Sequence, residues 1–171
     1  MTDLGTLKGG PVSAATAIND LGQVVGYSFT SGYQSIEAFL WKDGVGMISL
    51  GTLGGNYSDA EDINNLGQIV GFSSKTNSGQ DTYAFLWEGG VMSDLNSLIS
   101  EDSGWLLTEA RGINNTGQIV GSGYIDNQLH AFLLTPTSEP KPVPESASTW
   151  GLLAFGALGA GSVLKRQQKK H

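Results

Sequence analysis

An all-β fold is predicted: a propeller-like repeat of about three four-stranded blades, the ring incomplete, followed by a single C-terminal hydrophobic helix. Three observations carry this. Three sequence signatures return in phase about every 46 residues, β-branched runs are separated by Asn/Asp-Gly turns, and an uncharged apolar run follows a proline-rich stretch.

The first signature is Ala17-Ile18-Asn19-Asp20-Leu21-Gly22-Gln23-Val24-Val25-Gly26, which returns as Asp62 to Gly71 and again as Gly112 to Gly121. The second is Ala38-Phe39-Leu40-Trp41, then Ala84-Phe85-Leu86-Trp87, then Ala131-Phe132-Leu133-Leu134. The third is Met1-Thr2-Asp3-Leu4-Gly5-Thr6-Leu7, then Met47 to Leu53, and the weaker Met92 to Leu98. Together they define a repeat domain over residues 1–135, with three units of about 46 residues.

Within a unit the first strand should end at Ile18-Asn19 and the second begin at Gln23. Asn and Asp bond their own backbone and Gly accepts positive φ, so Gly22, Gly67 and Gly117 are placed at the left-handed position of a hairpin loop. The third strand, from Ala38 to Trp41 and in its copies, is apolar without alternation. That pattern predicts burial on both faces, with Trp87 in the blade core. The fourth strand is the Met-x-Asp/Ser-Leu segment. A solenoid of stacked sheets or a β-sandwich is the alternative architecture, but either buries less of the third strand. The chain opens on a fourth-strand sequence, while the third unit runs into prolines before reaching one. The first segment is therefore free to complete the last blade, and unclosed edges predict association or an incomplete array. Met1 aligns with Met47 and Met92, so an upstream start or a gene remnant is expected.

The unit resembles the HAF repeat of bacterial extracellular proteins. His130-Ala131-Phe132 spells the motif in full, Glu37-Ala38-Phe39 and Tyr83-Ala84-Phe85 in part, and the flanking Asp-Leu-Gly-Thr-Leu and Ile-Asn-Asn-x-Gly-Gln-Ile-Val-Gly patterns extend the likeness across Met1 to Thr135. The resemblance implies export and a propeller-like fold, but no reaction, substrate or catalytic residue.

Residues 136–148 form a linker, with four of the five prolines between Pro136 and Pro144. Residues 149–171 form an apolar segment that includes Trp150, Leu152, Leu153, Phe155, Leu158, Val163 and Leu164, closed by the basic Lys165, Arg166, Lys169 and Lys170. The run is slightly shorter than the ~20 residues that span a bilayer, and the basic end fixes the C-terminus on the cytoplasmic side with the repeats outside. A buried core helix is the alternative, but an apolar helix behind a proline linker has no domain to enter. The order of Val143-Pro144-Glu145, apolar run and basic end resembles the PEP-CTERM sorting signal, with Ser146 in place of its second proline. The resemblance implies processing by an exosortase-type enzyme and a cell-envelope or extracellular destination.

Composition excludes several chemistries. Sixteen acids face nine bases, four of which lie in the tail, so the repeat body should repel nucleic acid. No cysteine is present, and the histidines, His130 and His171, are too few for a metal or general-base cluster. The acidic pairs Glu61-Asp62 and Glu101-Asp102 are expected to be solvated loop charges, the Asn-rich turns lack the carboxylates of a calcium loop, and Leu53-Gly54-Gly55 lacks the Lys-Ser/Thr of a phosphate loop. No cofactor or catalytic residue is assigned. The sequence reads as a non-enzymatic exported surface or matrix protein, anchored through its C-terminal helix. Its variable loops, such as Ser73 to Thr82 with Lys75, Asn77 and Asp81, would contact extracellular polysaccharide or other surface proteins. An extracellular propeller-scaffold hydrolase or a glycan-binding module is the alternative.

Overall fold

The protein is represented by a computed structural model that describes residues 1–78 and 81–137. It is all-β, built from three antiparallel sheets, none closed on itself. The first sheet is β1 (Ser13–Ile18), β2 (Val24–Phe29), β3 (Ile36–Lys42) and β4 (Gly46–Gly51) in that spatial order. The second repeats it with β5 (Ser58–Ile63), β6 (Ile69–Ser74), β7 (Thr82–Glu88) and β8 (Val91–Asp94). The third has three strands, β9 (Leu106–Ile113), β10 (Ile119–Ile125) and β11 (Gln128–Leu134). Only short 3-10 turns interrupt the strands, among them Leu95–Leu98 and Glu101–Ser103, and no α-helix occurs among the described residues. The hydrophobic helix expected over residues 149–171 lies outside them.

Each sheet is a simple meander because each connection between its strands is short and rich in turn formers. Asn19 shows how the first hairpin closes. Its Oδ1 accepts from the backbone N–H groups of Leu21 and Gln23 at 3.1 and 3.0 Å, and Gly22 sits at φ 71°. Asn64 with Gly67 and Asn114 with Gly117 repeat the arrangement, with φ of 78° and 77° at the two glycines. The Gly that ends each signature has a different task. A Cβ on Gly26, Gly71 or Gly121 would come within 2.0 Å of the backbone oxygen of Ala14, Asp59 or Glu109 on the neighbouring strand. Only a residue without a side chain allows that approach, and a register irregularity in the sheet lies beside it each time.

The sheets stack face to face. β5 lies against β1, β2 and β3, and β9 against β5, β6 and β7. The first core joins Val25, Ala38, Leu40 and Leu50 of the first sheet to Ala60, Ile63, Ile69 and Phe85 of the second. The other joins Val70 and Ala84 of the second sheet to Leu107, Ala110, Ile113, Ile119 and Phe132 of the third. β3 and β7 thus have the buried interiors expected of them. β11 does not: Phe132 is buried, but Leu133 is 60% exposed because no sheet lies beyond it among the described residues. Trp87 is only partly buried, and the fully enclosed aromatic of its strand is Phe85, at 0% exposure.

The first segment does not complete the last sheet. Met1 to Thr6 form no strand, and Leu7 turns onto the first sheet, its N–H donating to Ser28 Oγ at 2.9 Å. Leu53 makes the same bond to Ser73 Oγ on the second sheet, also 2.9 Å. In its middle copy the third signature therefore serves as a connector: Met47 to Gly51 runs along the first sheet as part of β4, and Leu53 seats on the second.

Candidate functional site

The repeat signature converges on one edge of the stack, where the three Asn-containing turns lie side by side. Asn19 Nδ2 donates to the Asn64 carbonyl at 3.0 Å, and Asn64 Nδ2 donates to the Asn114 carbonyl at 3.0 Å. A second rail runs beside the first. The Asp20 N–H donates to Asn65 Oδ1 at 3.0 Å, the Asn65 N–H to Asn115 Oδ1 at 2.8 Å, and Asn65 Nδ2 returns to Asp20 Oδ2 at 2.7 Å. Each Asn amide also donates to the Gln four residues on, at 2.8 Å in the first unit, 2.6 Å in the second and 2.8 Å in the third. The Asn and Gln of the signature are thus engaged in holding each turn and joining it to the next. The pattern of Asn and Gly predicts the turns, and units that cover one another, but the part played by the Gln and the Asn bonds from unit to unit emerges only in the fold.

A second cluster lies where β5 meets β9. Arg111 sits between Glu61, at 4.0 Å, and Glu109, with which it forms a close ion pair. Asp62, taken with Glu61 as a solvated loop acid, is instead a strand residue whose Oδ2 accepts from the Ile113 N–H across the sheets at 2.8 Å. Asp59 is 7% exposed, and among the described residues its Oδ1 has no hydrogen-bond partner. Burial, and then the charge of Glu61, pushes its carboxyl up to about 7. Burial followed by the charge of Asp59 likewise raises the Tyr57 phenol.

An acid that keeps its proton near neutrality beside an ionised one is a pairing used in glycoside hydrolysis. Here Arg111 is ion-paired with both Glu61 and Glu109. Next to the cluster, Tyr83, Glu109, Ser122, Tyr124 and Leu129 help to line an open cleft of ≈ 340 Å³, a mixed aromatic and polar surface.

Other sequence candidates have plain positions. His130 is exposed on β11, with Nε2 3.4 Å from Gln128 Oε1. Glu101 and Asp102 open a 3-10 turn capped by Ser100. Lys75 is held in place, paired with Asp94 at 2.6 Å and lying 4.0 Å over the Tyr83 ring. Among the described residues no group of three His, Cys, Asp or Glu side chains is placed to hold a metal ion, and no helix is long and apolar enough to cross a membrane. The sorting motif Val143, Pro144 and Glu145, the apolar residues from Trp150 to Leu164 and the basic stop from Lys165 to Lys170 all lie outside the described residues.

A family model described as a protein of unknown function (DUF3466) matches residues 11–130. No curated protein and no solved structure matches the chain.

Proposed function

The chain belongs to the DUF3466 family, and from that premise we propose that it is a non-enzymatic, exported surface or matrix protein, built from propeller-like HAF-type repeats and delivered by a PEP-CTERM-like tail. The observation that carries this reading is the use to which the repeat signature is put. Its Asn and Gln side chains bond to one another and to the backbone of the next unit, and its terminal glycines permit strand contact. A signature spent on joining units is that of a scaffold, in which specificity belongs to the loops and clefts between.

The tail supplies the address. Val143-Pro144-Glu145, the apolar run and the basic end stand in the order of a sorting signal that an exosortase-type enzyme removes, and until removal the apolar segment would anchor the repeats outside the inner membrane. Fractionation tests this directly. Full-length protein carrying a working export signal should appear with the envelope, and deleting residues 149–171 should free it. Recovery in the cytoplasm in both cases would overturn the assignment.

The cleft lined by Tyr83 and Tyr124 favours a second reading, a glycan-binding module, because aromatic faces beside hydrogen-bonding groups suit sugar rings. Affinity electrophoresis in polysaccharide gels checks it: retardation should be lost on Tyr124→Ala.

A further inference from the structure

Two joints between units are complete among the described residues, and the first and third sheets each expose half of a third. In a complete joint the earlier sheet presents a Val-Ala-Leu trio to the later one. Val25, Ala38 and Leu40 are 0%, 0% and 2% exposed, and Val70 and Ala84 are each 0%. At the same positions of the third sheet, Val120 is 48% and Leu133 60% exposed, and Ala131 is exposed as well. The later sheet answers with an Ala, two Ile and a Phe; in the first sheet the Phe counterpart, Phe39, is already 1% exposed, and the Ala and the first Ile are the residues left open. Ala60 and Ile63 are 0% and 5% exposed, Ala110 and Ile113 0% and 9%. In the first sheet Ile18 is 67% exposed, and Ala15 is exposed too.

The polar rails end in the same way. The Asn19 and Asn64 amides each reach the next unit's carbonyl, whereas among the described residues Asn114 Nδ2 reaches only its own Gln118. The backbone edge is open as well. β3 and β7 are flanked by β4 and β8, but among the described residues β11 has β10 on one side and no strand on the other. Met1 to Gly5 repeats the Met47 to Gly51 sequence that forms most of β4, and it forms no strand here.

We propose that a second copy of this chain completes the joint, head to tail. The third sheet of one copy receives the first sheet of the next, so that Val120 and Leu133 cover Ile18. Asn114 Nδ2 of one copy donates to the Asn19 carbonyl of the other. Met1 to Gly5 of the incoming copy lies along β11 as its fourth strand, in the register Met47 to Gly51 takes on β3. The occupant follows from continuity with the two joints already made: the two exposed half-surfaces are complementary to one another, and one chain carries both. Such a contact is heterologous, and it closes into a ring or extends as a filament according to the rotation between copies.

Sedimentation of the full-length protein from low to high micromolar concentration should show assemblies larger than one chain. Leu133→Asp and Ile18→Asp place a charge in opposite halves of the joint, and each should weaken association by about a hundredfold or more while leaving circular dichroism unchanged. Val120→Asp gives the same reading if Leu133→Asp disturbs folding. Mixing the Leu133→Asp and Ile18→Asp proteins should restore pairing, because each retains the half the other has lost. A monomer at all concentrations would overturn the proposal. So would association that survives both substitutions, which would locate the contact elsewhere in the chain. Loss on Leu133→Asp with Ile18→Asp silent would mean like-face pairing, and failure of the mixture to pair would likewise refute a head-to-tail joint.

Discussion

The second and third sheets share strand order and much of their sequence, yet the same apolar run behaves differently in each. In β7 the central residues Ala84 and Phe85 are sealed because sheets lie on both sides; in β11 the equivalent Ala131 is open and only Phe132 is buried. The difference is not in the strand itself. It lies in whether another described sheet packs on it, so a residue's contribution in this molecule depends on what its unit is stacked against as well as on its chemistry.

The largest test of that contrast is Phe85→Ala, which removes a fully enclosed ring from the first core and should cost about 3–5 kcal/mol in chemical denaturation. A loss below about 1 kcal/mol would remove the distinction between enclosed and open strands. Backbone demands, by contrast, should be alike in every unit. Gly26→Ala, Gly71→Ala and Gly121→Ala each force a Cβ to within 2.0 Å of a neighbouring backbone oxygen, and each should cost about 3 kcal/mol. Unequal costs would show that the close approach is not common to the three units.

Charge separates the first two sheets in a third way. Asp59 in β5 has its carboxyl raised to about 7 by burial and by Glu61, so its favourable state is the protonated one. Its contribution is complete below the ordinary aspartate range and is lost as pH climbs through about 7, lowering stability by up to about 4 kcal/mol between pH 4 and 8. Asp59→Asn should flatten that slope in pH-dependent melts. Glu37 in β3 works in the opposite sense. Burial opposes its charge, but hydrogen bonds from Ser49, Ser35 and Lys8 hold the carboxyl below its ordinary value. Its stabilising effect is present above the ordinary glutamate range and is lost as pH falls, so Glu37→Gln should matter at neutral pH and vanish in acid. The smallest effect belongs to Leu133→Ala, expected to stay within about 0.5 kcal/mol because the side chain is exposed in a single chain. Leu40→Ala, at the matching position in the first sheet, should cost about 2–5 kcal/mol.

The hairpins were legible in the sequence because their cause is local. Asn19, Gly22 and Gln23 lie within five residues and need no distant partner to make their turn. Strand type and the all-β class followed from the same short-range pattern. What stayed hidden depends on neighbours far along the chain. Glu61 and Arg111 meet only once β5 and β9 have packed, and Asp62 reads as a solvated charge until the Ile113 N–H is brought to it. The glycines closing the signature carry no mark distinguishing close strand contact from a turn. Leu133 looks like Leu40 because the apolar run is the same, and only the stacking order reveals that one is covered and the other is not.

The paired rails of Asn side chains also bear on how such a protein changes in length. The turns they join are 45 residues apart in one step and 50 in the other, yet the bonds across both steps match within 0.2 Å. Extra residues between units are absorbed away from this edge, so a gene can gain or lose a whole unit by unequal recombination and keep every remaining seam intact. Selection would then set the number of units by reach or capacity, much as links are added to a chain without redesigning the clasp.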